Sequence, residues 1–281
     1  ARSANFRRSG GGALSLGSKV ITKHSDLAGC KKALLASKEL ALDCEGVDLC
    51  RLGEVSLVQL ATPSECFLFD VLKEMKPLFS AHVMLLKKML ESADCVKIIH
   101  DCKMDSDALF HLLDIKLTNC HDTQAWDSVL TSRRENLNST LVNYNCTQNQ
   151  ARDSNIYSRN YRYWELRPLT AQMIEWASGD VSSLFSLKEA QVARASLSHS
   201  VLCRKETKRN LNYLRDKETQ IAKISPSKVG RFIGTKGSNV RRLNGDNFFY
   251  QNCKERGSGI LVVYATPGFM PEALAQIRPY M

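Results

Sequence analysis

The stretch Leu40-Ala41-Leu42-Asp43-Cys44-Glu45-Gly46 sets two carboxylates into an otherwise apolar run. Side chains on a strand alternate between faces, so residues two apart point the same way. Asp43 and Glu45 therefore project together from one side of the strand. Two acids so placed repel each other, and taking them out of water adds a further cost. A cation held by both relieves that cost, which makes this strand end a candidate metal site. A D-x-E pair alone is a weak signal, since surface strands often carry one. What gives it weight is the mostly apolar setting over residues 38–45.

Outward from this strand, VSLVQLAT (55–62), CFLFDV (66–71) and VKIIH (96–100) read as further strands. Helical spacing runs over Asp26–Ser37, with Leu27, Leu34 and Leu35 on one side, and again over 85–90 and 107–113. Strands followed by helices predict an α/β layer architecture. Residues 131–163, rich in Asn, Arg, Ser and Tyr, have the weakest periodicity of the middle region and read as helices around a long surface loop near the substrate, or as a tolerated insertion. The run from Trp164 to Gln191 reads as one strong amphipathic helix with Thr170 as its N-cap.

The chain has 281 residues, enough for one large or two smaller domains, and no apolar run approaches the roughly 18 residues that cross a bilayer. Its ten cysteines are scattered with no C-x-x-C pair. That usage fits free thiols in a reducing compartment, cytoplasmic or nuclear, and lacks the spacing of a structural zinc site. Residues 1–18 combine Gly, Ser and Arg without an acid and read as a flexible basic tail, compatible also with the remnant of an organellar presequence. The net charge of +10 is unevenly spread. Residues 1–42 carry 8 basic and 2 acidic side chains, whereas 43–202 carry 16 and 21. Residues 203–218 then carry 6 and 3, and 219–281 carry 9 and 3. Basic flanks attract polyanions, and an acidic centre needs cations before it can approach one.

Two more acidic groups follow. In HDCKMDSDAL, after the VKIIH strand, Asp101 and Asp105 are both candidates. In WASGDVSSL, Met173, Trp176, Asp180 and Leu184 share one helical stripe that Asp180 interrupts.

Taken in order, LDCEG, SLVQLAT, KIIHDCKMDSDAL with HDTQ after it, W-x-x-RPLT and WASGDV resemble the ribonuclease D branch of the DEDD 3'-5' exonucleases, over roughly residues 19–200. HDC in the second motif is especially similar to the Egalitarian-like eukaryotic members. The resemblance implies a ribonuclease H-like domain over 19–202. It also implies Asp43, Glu45, Asp105 and Asp180 as ligands of two Mg²⁺ or Mn²⁺ ions, with Asp101 the alternative third, and release of nucleoside 5'-monophosphates. Hard oxygen donors suit these cations. In the branch, a tyrosine four residues before the last aspartate handles the attacking water; here that position is Trp176, whose indole donates a hydrogen bond but accepts no proton. Some Egalitarian-like relatives use the fold as a non-catalytic adaptor, and Trp176 favours that alternative.

Residues 203–218 have little apolar content and read as a charged linker helix. Beyond them, QIAKISPSKVGRFIGTKGSNVRRL resembles the G-x-x-G signature of KH domains, with Gly234, Thr235, Lys236 and Gly237 as the turn and 219–281 as the domain. The family clamps single-stranded RNA, and also single-stranded DNA, through such a turn. Lys228, Arg231, Arg241 and Arg242 are the accompanying candidates for phosphate contact. The pairing implies a KH grip that delivers a single strand to a trimming site, with no membrane partner.

Overall fold

The structure is a computed structural model, and it describes residues 17–72, 76–153, 155–253 and 257–281. The first unit opens with β1 (Gly17–Ile21), α1 (His24–Ala36), β2 (Glu39–Val47), β3 (Glu54–Ala61) and β4 (Glu65–Asp70). It continues with α2 (Lys76–Leu90), β5 (Val96–Ile99), α3 (Lys103–Leu113), β6 (Cys120–Asp122) and α4 (Thr123–Thr131). Short helices α5 (Leu137–Asn143) and α6 (Ile156–Arg159) follow, then α7 (Ala171–Ser182), α8 (Leu184–Arg194) and α9 (Leu197–Tyr213). The second unit comprises β7 (Glu218–Lys223), α10 (Val229–Ile233), α11 (Ser238–Leu243), β8 (Phe248–Asn252), β9 (Ile260–Ala265) and α12 (Met270–Ile277).

Six strands form one mixed sheet in the order β1-β4-β3-β2-β5-β6. The β2, β3 and β4 strands pair antiparallel, and β1, β5 and β6 each join their neighbour in parallel. This is the α/β architecture expected, with β2 near the centre and apolar cores on both sides. On one side Leu42, Cys44, Val58 and Phe69 pack with α1, α2 and α3; on the other Ala41, Leu57 and Leu68 pack with Trp164, Met173 and Trp176. The alternation that buries both faces leaves Asp43 and Glu45 on the Trp176 side.

Three boundaries differ from the sequence reading. The tail expected over 1–18 lies outside the described residues up to position 16, and Gly17 already begins β1, paired with Glu65. The helix expected from Trp164 onward is broken. Pro168 removes a backbone donor, the Thr170 hydroxyl caps α7 by accepting from the Met173 amide at 3.2 Å, and Ser183 separates α7 from α8. The segment 203–218 is no free linker: it begins inside α9, whose Cys203, Thr207, Asn210 and Leu211 are buried against α3, α4 and β6. Its spaced small and polar buried residues hid that face from a hydropathy reading.

The smaller sheet has the antiparallel order β7-β9-β8, covered by α10 and α12 around Ile224, Phe232, Tyr250 and Ile277. The two units are locked together. Arg51 binds buried Asp107 at 2.7 Å and also donates to the carbonyls of Leu214 (2.6 Å) and Lys217 (2.8 Å), while the Tyr264 hydroxyl donates to Asp107 at 3.2 Å. Cys50, Leu214, Cys253, Val262 and Tyr264 form an apolar cluster beneath this clasp.

Candidate active site

Strand β2 delivers Asp43 and Glu45 to one spot because side chains two apart share a face, and its register with β3 shifts just beyond them, between Glu45 and Gly46. Gly46 permits this bulge, since a Cβ there would lie 1.9 Å from the Glu54 carbonyl oxygen. Helix α7 brings Asp180 to the same place, and one carboxylate oxygen each from Asp43, Glu45 and Asp180 lie within 4.8 Å of one another. The three were expected together and the structure assembles them. Asp105, on α3, stands outside this triad, next to the thiol of Cys44 on the other face of β2. Its Oδ1 is buried without a hydrogen-bond partner. Gln59, directly across from Asp43 on β3, likewise has an amide with no partner at either atom.

Burial pushes the Asp43 carboxyl well above the usual range, reinforced by the charges of Asp180 and Asp105 and opposed by Arg152. Glu45 is raised by burial, then by Asp43 and Asp180. Asp105 is pushed up to about 7, chiefly by burial. Asp101 behaves differently: burial pushes it up, but Lys103 and Arg134 outweigh that and hold it below the ordinary value. Arg134 Nη2 reaches both Asp101 oxygens, at 2.9 and 2.7 Å, and Lys103 lies at 3.2 Å. Asp101 and not Asp105 lines the cavity of about 230 Å³ that opens onto Asp43 and Asp180. Its backbone sits at a positive φ, and its backbone N–H donates at 2.9 Å to the carboxylate of Asp122, the residue that also caps α4.

Trp176 is buried and its indole N–H donates to Asp180 Oδ2 at 2.9 Å. The other oxygen of Asp180 accepts from Asn149 at 2.8 Å and from the Arg152 guanidinium at 3.3 Å. Gly179 makes room for Asn149, because a Cβ at that position would lie 2.6 Å from its side chain. Tyr157 stands edge-on to Trp176, with 5.9 Å between ring centres, and accepts from Trp164. Burial raises its hydroxyl, and the nearby charge of Glu45 raises it further. Asn149, Arg152 and Tyr157 were not singled out from the sequence. All three come from the polar 131–163 region, where no periodicity marks which side chain turns inward.

In the second unit, Gly234 and Gly237 have φ of +73° and +76°, as a tight turn between α10 and α11 requires, and Lys236 between them is also left-handed. A Cβ at Gly234 would come within 2.8 Å of the Asn239 backbone nitrogen. Thr235 lies in the same turn. Lys228 is turned away, donating to the Pro279 (3.2 Å) and Met281 (2.8 Å) carbonyls, and Arg242 is held by Asn239 at 2.9 Å. Arg231 and Arg241 are exposed on α10 and α11.

A mixed sheet of this order, with carboxylates gathered at its centre, defines a DEDD-type nuclease domain. The sequence pattern of the 3'-5' exonuclease family matches residues 18–191, and the chain belongs to that family. The piRNA biogenesis protein EXD1 of Xenopus laevis is 38% identical over 95 residues, 34% of this chain and 21% of that protein. Ribonuclease D of Bartonella henselae is 25% identical over 188 residues, 64% of this chain and 43% of that protein. The chain thus spans less than half the length of either relative. The crystal structure of Trypanosoma brucei RNase D in complex with RNA U12 superposes with a TM-score of 0.62 at 25% identity, covering 72% of each chain.

Proposed function

We propose that the chain trims single-stranded RNA from its 3' end, dependent on Mg²⁺ or Mn²⁺, and that its C-terminal unit grips the strand. The observation that carries this reading is the buried triad of Asp43, Glu45 and Asp180, whose mutual repulsion at 4.8 Å or less makes it costly without bound cations. An all-carboxylate donor set suits hard divalent ions, and the orphaned Asp105 Oδ1 and Gln59 amide are further groups without partners. Asp43, Glu45 and Asp180 would hold one ion; Asp105, whose charge reaches Asp43, would have to turn from the Cys44 thiol to serve a second, and Asp101 is already occupied by Arg134 and Lys103. Divalent ions bound there would supply an activated water and stabilise the departing 3' oxygen. Trp176 and Asn149 orient Asp180 by donating to its two oxygens, and buried Gln59 faces Asp43 with an amide free to hold a phosphate or a water.

The strand-helix-turn-helix-strand-strand-helix order of residues 218–277, with Gly234–Gly237 at the turn, supports a KH-type grip. Single-stranded DNA is a second ligand for such a grip. The competing reading, an adaptor that binds RNA without cutting it, is favoured by one contact: Arg152 already supplies positive charge to Asp180. Incubating 3'-labelled single-stranded RNA with Mn²⁺ separates the two. Mononucleotide release that Asp43→Ala plus Glu45→Ala abolishes supports the nuclease; release unchanged by that pair, or none from the unmodified chain, rejects it.

A further inference from the structure

The two units meet at a cleft of about 290 Å³ bordered by α3, α9, α11 and the start of β8. Four basic side chains line it, Lys103, Arg134, Arg209 and Arg241, against two acids. Both acids, Glu206 and Asp246, are paired with Arg209. Arg241 is exposed and has no acidic partner among the described residues. Tyr213 and Phe249 also line the cleft, their rings edge-to-face at 6.2 Å.

The ends of this cleft are tied to both candidate sites. At one end Arg241 Nη1 lies 2.9 Å from where a Cβ would stand on Gly237, so the basic surface begins at the glycine turn. At the other end Arg134 binds Asp101, which lines the cavity holding Asp43 and Asp180. Arg134 spends only Nη2 on Asp101 and is exposed, leaving its other donors for a phosphate. The Arg51–Asp107–Tyr264 clasp fixes the two halves, so the cleft is held open by the fold. Positive charge beside aromatic rings is the pairing that tracks a single strand irrespective of sequence.

We propose that single-stranded RNA runs from the Gly234–Gly237 turn through this cleft into the carboxylate cavity, with Arg241 and Arg134 on its phosphates and a base against Tyr213 and Phe249. The path takes its direction from the nuclease reading. Its test uses an Asp43→Asn background to measure binding of 5'-labelled single-stranded RNA, roughly 16 nucleotides long, across a salt series. Each lost phosphate contact lowers the steepness of log affinity against log salt by about 0.7, so Arg134→Ala plus Arg241→Ala should lower it by roughly 1.4. In the active chain with Mn²⁺, the same pair should slow trimming of the long RNA by a larger factor than trimming of an RNA of roughly 4 nucleotides. Photo-crosslinking of 4-thiouridine RNA to the unsubstituted chain should label peptides carrying Tyr213 or Phe249, a readout independent of how the variants fold. An unchanged salt slope, equal loss on short and long RNA, or crosslinks confined elsewhere overturns the path. If the parent chain releases no mononucleotide but the slope falls as stated, the nuclease reading fails and the binding path stands.

Discussion

Replacing Asp105 with Asn should make the metal-free protein more stable at neutral pH while removing its activity. Burial, with the charges of Asp101 and Asp122, raises this carboxyl from 3.8 to about 7. The folded chain therefore holds a proton that the unfolded chain gives up, and between those two values stability falls as pH rises. At about 1.4 kcal/mol per pH unit, the whole interval amounts to roughly 4 kcal/mol, a large share of the ~5–15 kcal/mol that holds a domain together. Asn keeps the shape and cannot ionise. Relative to the parent, the variant should gain roughly 3 kcal/mol on moving from about pH 5 to about pH 8, where the parent carboxylate is charged and buried. The assay is urea unfolding with chelator present at both pH values, followed by the same measurement with Mn²⁺. Metal should stabilise the parent at the higher pH and do much less for Asp105→Asn. A variant that tracks the parent at both pH values, or loses stability at the higher one, would refute the claim that Asp105 is a strained carboxylate kept for a cation.

Three further outcomes follow from the same geometry. Arg152 lies 3.3 Å from Asp180 with its side chain 37% exposed, and Coulomb attraction at such range is about 1 to 4 kcal/mol as the surroundings pass from watery to partly buried. Taking the lower figure, Arg152→Gln should tighten Mn²⁺ binding about fivefold by calorimetry, most visibly at higher pH where released protons no longer compete; unchanged or weaker binding would show that Arg152 and the ion do not compete. Trp176→Tyr should raise the trimming rate through a hydroxyl four residues before Asp180, while costing ~1–3 kcal/mol in thermal unfolding because Trp176 is packed against Trp164 and Tyr163. A slower variant would show that the indole's bond to Asp180 matters more than a phenol. Arg51→Ala takes the guanidinium from buried Asp107 and leaves it the Tyr264 hydroxyl and the residue-51 amide, which should cost about 3 kcal/mol, the low end for a broken buried pair, and expose the 214–218 junction to limited proteolysis; a protease pattern like the parent's would mean the clasp does not hold the units together.

Much of the sheet was legible because apolar runs bounded by turns are local signals. Strands β2 to β5 and the Thr170 cap fell where periodicity placed them. The three-residue β6 and the parallel edge strand β1 were not, since their pairing to β5 and β4 is a tertiary choice that a short stretch cannot announce. The burial of α9 was hidden for another reason: Asn210 and Thr207 are polar, and Asn210 goes inward because it donates to Asp122 at 3.1 Å. Within the site, the period of two on β2 was enough to pair Asp43 with Glu45, whereas Asp180 joined them only through the resemblance to the ribonuclease D branch, because no local spacing links α7 to β2. Whether Asp101 or Asp105 faces the cavity was not decidable from a motif in which both recur. It depends on Arg134, which reaches Asp101 across 33 residues. Arg152 and Asn149 likewise act from a loop whose inward turn is set by the space above Gly179.

The most direct measurement is a Mn²⁺ titration of the chelator-stripped chain followed by electron paramagnetic resonance and calorimetry, in the parent and in Asp43→Asn plus Asp180→Asn. The parent should bind two ions saturably with release of protons, because the raised carboxyls must ionise to hold them, and the double variant should bind neither. Absence of saturable binding in the parent, or binding that the double variant retains, would contradict the assignment of these carboxylates to a metal centre.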